Sequence, residues 1–420
     1  MGLSSRYGLA RILQRDQNKP RNADRMGNVG AISRERTLRT FKRLAVSVAV
    51  TASVLAMASL FWAAVCPAAA FEGEQVQTID GFPAMTRFIQ GDPSRPLIVF
   101  IPGAHHLARI AYGGHDGGRG QDFLAYWLVR EGYNFLGVSY PLTTADKVME
   151  GAYPSYTARD WGKQAADLAK QAVEQHHLTS RIIVIGWSMG GRIAEPIAEF
   201  AKADGLDLDF YVSFSATPGV MGLVDMNAGF KMAPTGYADR SNIYSGFLRQ
   251  IALENAMNDH TIIDEKTYLA DYVGDMPVNL EGYGLHYRDG KFVRDYWADE
   301  NEFRVYDFHN LPFIAMLMPN QPLDGRHALT DRANWGLLIA NKIEADIDAA
   351  KIDVTKIPRD RWLALVDLVR HAPERLSVEM NGDHFFFLGE TGAHETARAI
   401  ATLEPRMHGF KAELKELLGQ

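Results

Sequence analysis

Five segments of this chain run apolar over most of their length: PLIVFIPG (Pro96 to Gly103), YNFLGVSYP, RIIVIGW, DLDFYVSFSA and FIAMLMP (Phe313 to Pro319). A strand with one wet face alternates apolar and polar residues, whereas a continuously apolar strand must be covered on both faces. Between these segments lie stretches of helical periodicity, one over 121–131 and one from Thr157 to His177. Such alternation predicts an α/β architecture, a mostly parallel doubly wound sheet flanked by helices. VQTID and AMTRFIQ read as a short opening pair, LSVEMNG (Leu376 to Gly382) as a late strand, and HETARAIATLE as part of a closing helix. No internal repeat or low-complexity linker interrupts the pattern.

One long segment does interrupt it. Residues 218–311 hold fifteen Asp/Glu against eight Lys/Arg and are rich in aromatic residues: Tyr237, Tyr244, Phe247, Tyr268, Tyr272, Tyr283, Tyr287, Phe292 and Tyr296. A stretch of this length inside a compact domain has structure of its own and reads as a lid or cap insertion over a sheet edge.

At 420 residues the chain is long enough for a sizeable core, and 47% apolar with 23% charged residues marks a globular body. Charge is unevenly spread. Residues 1–43 carry eleven Lys/Arg against three Asp/Glu, so a chain of net charge −7 has a strongly acidic remainder. An acidic body repels nucleic acid, which is not expected as a partner. The basic head precedes LAVSVAVTASVLAMASLFWAAVC (residues 44–66), an uncharged apolar run long enough to span a bilayer, and then PAAAFEGE. Ala68 and Ala70 give the small-residue spacing of an export signal cut after Ala70; the alternative is an uncleaved anchor that attaches the chain to the inner membrane. Either way residues 71–420 form the working domain outside the cytoplasm, periplasmic or secreted. Cys66, the sole cysteine, would leave with the signal, so the mature fold stands on its core without a disulfide.

The most informative motif lies in RIIVIGWSMGGRIAEPIAEF. Gly186, Trp187, Ser188, Met189 and Gly190 form a G-x-S-x-G between an apolar strand and a helical segment, the context a nucleophile elbow requires. The turn is so tight that side chains two residues either side of the serine would collide, so glycine stands there. Ser188 is thereby held exposed at the helix start.

At this point the chain, from about Gln75 onward, resembles the α/β-hydrolase superfamily. Three further features stand in the order that resemblance implies: PGAHH (Pro102 to His106) after the strand bearing the oxyanion loop, FIAMLMPNQPLD after the strand whose end bears the acid, and NGDHFFFL where the histidine falls. Each has a chemical reason. A serine hydroxyl needs a base, for which His384 is the candidate. The imidazolium needs an orienting carboxylate, assigned to Asp324, with Asp225 in reserve because some relatives carry the acid after the preceding strand. An ordinary Pro-Leu-Asp-Gly turn explains Asp324 equally well. The resemblance places the two oxyanion donors at the backbone N–H groups of Met189 and Ala104. Asp383 reads as a turn or solvent residue. His105 and His106 have no further ligand at a metal-binding spacing, so no metal is expected, and no cofactor either. YGGHDGGRGQD (Tyr112 to Asp122) lacks any phosphate-loop spacing and reads as a pocket rim.

Serine at the elbow implies an acyl-enzyme route, with haloalkane and epoxide chemistry disfavoured because relatives of that kind carry aspartate there. Hydrolysis of carboxylic esters of small or aromatic-bearing substrates is the leading expectation. PGA and GDHFFFL also resemble the thioesterase branch, and an acyltransferase would use the same residues. A lipase would want a more apolar mouth than the acidic, Tyr-rich insertion offers. A non-enzymatic binding protein on this fold would normally have lost a catalytic residue, whereas Ser188 and His384 are both in place. Oligomeric state is not legible.

Overall fold

Strands β1 (Glu74–Ile79) and β2 (Phe82–Ile89) form an antiparallel hairpin at the start of the structure, a computed structural model that describes residues 70–223, 231–281 and 284–420. The apolar segment 44–66, Asp225 and Tyr283 lie outside the described residues. After the hairpin come β3 (Leu97–Ile101), helix α1 (Leu124–Arg130), β4 (Asn134–Ser139), the two-residue β5 (Thr143–Thr144), α2 (Ala158–Gln175), β6 (Arg181–Trp187), α3 (Ala194–Ala203) and β7 (Asp207–Phe214). The main sheet closes with β13 (Ile314–Pro319) and β14 (Ser377–Met380), in the order β1-β2-β4-β3-β6-β7-β13-β14. From β4 to β14 neighbours run parallel, and β2 joins β4 antiparallel.

The apolar segments sit where their composition demands. Every residue of β3 and β13 is buried, as is all of β6 except Arg181. Covering both faces requires helices, and α2 shows how one is set. Thr157 caps it: its hydroxyl accepts from Asp160 N while its own N–H donates to the Asp160 carboxylate, a reciprocal arrangement typically worth about 1 kcal/mol. The face carrying Trp161, Ala165, Leu168, Ala169 and Ala172 then packs inward. A parallel strand pair also needs a long crossover. Between β13 and β14 it is supplied by α7 (Gly325–Ala349) and α8 (Arg359–Arg370), which the sequence reading had not assigned, and α9 (Glu390–Leu418) closes the chain.

Strand order decides where a site can lie. From β3 the chain moves one way in the sheet to β4, and from there it returns past β3 to β6 on the other side. The carboxyl ends of β3 and β6 therefore flank a crevice at the switch point, where ligands bind in open α/β sheets.

Between β7 and β13 the described residues leave the main sheet. They form β8 (Lys231–Met232), β9 (Tyr237–Asp239), α4 (Tyr244–Met257), α5 (Glu265–Asp271), β10 (Gly274–Pro277), a hairpin of β11 (Leu285–Arg288) and β12 (Lys291–Arg294), and α6 (Tyr296–Phe303). A second small sheet, β5-β10-β9-β8, ties this segment to the body through β5. Buried Arg109 adds a polar clasp. Its guanidinium is bidentate on Glu74 of β1 at 2.8 and 2.9 Å, and it also donates to Asp146 at 2.5 Å and to the carbonyl of Asp271 at the end of α5 at 2.8 Å. Removing one partner of so buried a set is costly, because the other charges remain without compensation.

Candidate active site

Ser188 stands at the end of β6 with φ 54°, in the left-handed region that non-glycine residues rarely occupy. The turn around it is tight in a specific way. A Cβ on Gly186 would fall 1.7 Å from the Tyr211 hydroxyl, which lies under the turn and donates to the carbonyl of Gly190 at 2.6 Å. Glycine at 186 makes room for that hydroxyl, and the hydroxyl fixes the far side of the turn. The chain leaves Ser188 as a 3-10 stretch, Ser188–Ile193, before α3 begins, so the helix starts more tightly wound than the sequence suggested.

The sequence-selected base and acid meet. His384 Nδ1 lies 2.8 Å from Asp324 Oδ2, and both side chains are buried. Asp324 sits in the short 3-10 turn Pro322–Asp324 that opens α7, so the Pro-Leu-Asp-Gly turn and the acid position coincide. Burial alone would raise its pKa, but the charge and hydrogen bond of His384 outweigh burial and hold it below the ordinary carboxylate value. It therefore stays ionised. With Nδ1 engaged, the ring of His384 presents Nε2 as its remaining proton-accepting atom. Ser188, Met189, Ala104, Asp324 and His384 line one cavity of about 250 Å³. Ala104 arrives there because Gly103, at the mouth of β3, lies against the elbow; a Cβ on it would fall 2.8 Å from that of Ser188. Among the described residues no hydrogen bond joins the serine hydroxyl to His384; in ligand-free enzymes such contacts often tighten only with substrate.

Sheet order, elbow and the histidine–acid pair are now in place. The chain has the α/β-hydrolase fold.

Neither a family model nor a curated protein matches the sequence. Solved structures of this fold match over most of the chain at low identity. A soluble variant of monoglyceride lipase from Saccharomyces cerevisiae is 10% identical, with 79% of this chain and 94% of that one covered at a TM-score of 0.43. A hydrolase from Pseudomonas aeruginosa is 12% identical, covering 79% and 98% at 0.43. The thioesterase domain from the curacin biosynthetic pathway is 12% identical, covering 80% and 99% at 0.35.

Several residues of the site escaped the sequence reading. Trp187, beside Ser188, donates its indole N–H to the carbonyl of His384 at 2.9 Å, and the backbone N–H of His384 donates to Gln250 Oε1 of α4 at 3.1 Å. Phe385, Phe386 and Phe387 are fully buried and anchor the loop from below. Asp383 is a turn residue, its carboxylate accepting from Phe385 N at 2.9 Å, but it is not a solvent residue: it is wholly buried, and its backbone N–H donates to Glu254 of α4 at 3.3 Å. Burial, then the neighbouring Asp383 charge, push Glu254 up to about 8, and burial pushes Asp383 up to about 6. Glu254 thus holds its proton at neutral pH where α4 meets the loop around His384.

His105 and His106 brace the loop that follows β3. His105 contacts the carbonyl of Gly274 at 2.9 Å and Glu281 at 3.1 Å. His106 contacts the carbonyl of Ala104 at 2.7 Å and the Tyr268 hydroxyl at 2.8 Å, and burial drives its pKa down to about 3, so it is neutral. A different histidine joins the site. His327 lies one turn into α7, its ring 5.2 Å from that of His384, with Nδ1 on Asp331 at 2.9 Å and Nε2 facing the Arg326 guanidinium at 3.3 Å. Asp324, His327 and His384 converge closely enough to ligate a cation, but Arg326 occupies the remaining nitrogen of His327 and Asp324 occupies Nδ1 of His384. A second convergent set, Asp209, Glu404 and His408, is already paired with Arg181 and Lys411.

The aromatic residues of the insertion also fall differently from expectation. Of those named from the sequence and described, Phe247 lines the cavity, whereas Tyr237, Tyr268 and Tyr272 are buried in packing and Phe292 and Tyr296 are exposed elsewhere. An aromatic mouth is not what the tyrosines build; they hold the cap to the body, as the contact of the Tyr272 hydroxyl with His115 at 2.5 Å illustrates.

Proposed function

We propose that this α/β-hydrolase is a serine hydrolase that cleaves small carboxylic esters through an acyl-enzyme. The supporting observation is the His384–Asp324 pair at 2.8 Å in the cavity that Ser188 enters from its elbow. In this reading Ser188 Oγ attacks the ester carbonyl as His384 Nε2 takes its proton, and the N–H groups of Met189 and Ala104 stabilise the oxyanion. His384 returns the proton to the departing alcohol. Water, deprotonated by the same nitrogen, then releases the acid and frees the serine. Asp324 remains a carboxylate throughout and stabilises the imidazolium. The chemistry needs no cofactor.

The test is labelling of the purified protein with a fluorophosphonate, with Ser188→Ala as control, followed by matched ester and thioester series. Labelling that disappears in Ser188→Ala, with esters turned over faster than thioesters, is the expected result; faster thioester cleavage would reassign the enzyme as a thioesterase, and absence of labelling would remove the nucleophile. The proposal extends to location: residues 44–70 act as an export signal, so N-terminal sequencing of exported protein should begin at Phe71. A start upstream of the apolar run would make that run an anchor.

A further inference from the structure

The cavity in front of Ser188 is unlike an acyl-chain tunnel. Apart from Ala104, Met189 and Phe247 its wall is polar or charged, and three of its side chains are arginines contributed by three separate parts of the chain: Arg192 after the elbow, Arg240 from the cap, and Arg326 at the start of α7. Arginine is costly to gather in one place without anions.

The carboxylates of the wall are already committed. Asp324 serves His384. Glu281 is shared between His105 at 3.1 Å and Arg240 at 3.0 Å. Arg192 donates to the carbonyl of Leu280 at 2.5 Å, beside Glu281. Arg326 is placed differently: its side chain reaches Thr217 Oγ1 and His327 Nε2, and among the described residues it makes no ion pair. Among the described residues of the wall, Arg326 is therefore the guanidinium that faces the cavity without a carboxylate partner.

We infer that the cavity takes an ester bearing a second, anionic group, a carboxylate held by Arg326 together with Thr217. A planar guanidinium fork matches a carboxylate in two parallel hydrogen bonds. The anion lies in the same cavity as the reacting carbonyl, so the substrate is short, and a long neutral acyl chain would strand Arg326 against hydrocarbon. The inference rests on Ser188 as the reacting group and deepens that reading by naming what the substrate carries.

Two matched pairs test it, one with the charge on the acid side and one on the alcohol side: monomethyl adipate against methyl hexanoate, and 4-acetoxybutanoate against butyl acetate. In at least one pair the charged ester should show a kcat/KM about 10 to 100 times that of its neutral partner. Arg326→Gln should lower that ratio by about tenfold or more, Arg326→Lys should restore part of it, and added salt should erode it. Equal kcat/KM within both pairs, with Ser188 still labelled by fluorophosphonate, overturns the anion site and leaves the serine hydrolase standing. Should labelling fail, calorimetric titration of adipate into the Ser188→Ala protein decides the matter alone: binding that Arg326→Gln weakens supports the site, and heat indistinguishable from buffer overturns it.

Discussion

At Ser188 the backbone is strained into the left-handed region to bring a half-buried side chain to the cavity, and the residues around it show how that strain is held. Tyr211 props the turn from beneath, so Gly186→Ala would drive a methyl group into its ring. That substitution should cost about 3 kcal/mol or more, read as a fall in unfolding free energy, with loss of activity in whatever protein folds. The acid can be tested as cleanly. Asp324→Asn preserves shape but leaves His384 without the carboxylate that stabilises its charged form, so kcat should fall on the order of 10⁴-fold. Full activity in Asp324→Asn together with its loss in Asp225→Asn would move the acid to the preceding strand. Ser188, His384 and Asp324 were legible because each follows a strand in a local pattern of turn residues. Tyr211, Trp187 and the three arginines were not, because nothing in a linear sequence says which way a side chain on a distant strand or helix points.

At the scale of elements, helix α4 carries more than a cap's share of the site. Gln250 and Glu254, one turn apart, receive the backbone N–H groups of His384 and Asp383. The break in composition over residues 218–311 was visible in the sequence, but the grip of this segment on the loop around His384 was not, since Glu254 and Asp383 are 129 residues apart. The buried carboxyl pair makes that grip sensitive to pH. Glu254 is raised from an ordinary value of 4.5 to about 8, so the folded state holds its proton more tightly than the unfolded chain does. Its contribution is therefore complete below about pH 4.5 and fades as pH rises towards 8. Denaturant unfolding between pH 5 and 9 should show wild-type stability falling relative to Glu254→Gln, which keeps the uncharged shape at every pH. Parallel curves for the two proteins would mean that Glu254 is already ionised. The long crossover between β13 and β14 is a different kind of omission: two parallel strands cannot be joined without one, so its existence followed from the strands even though its helices were not assigned.

For the molecule as a whole, the sheet was the most legible feature, because continuous apolar strands admit few arrangements, and the order β1-β2-β4-β3-β6-β7-β13-β14 then sets the crevice at the switch point. The same order distributes the site along the chain. The loop after β3 and the turn at Ser188 precede residues 218–311, Asp324 and His384 follow them, and the indole of Trp187 reaches a carbonyl 197 residues away. Contacts of that span are the last to be rewarded in folding, since the intervening loops must close first. After dilution from denaturant, helical circular dichroism should therefore recover ahead of ester hydrolysis, and the lag between them times the docking of the histidine loop on the elbow. Simultaneous recovery would mean that the sheet and the loop close in one step. The proposed ester hydrolysis would in that sense be a clock for the final stage of this protein's own assembly.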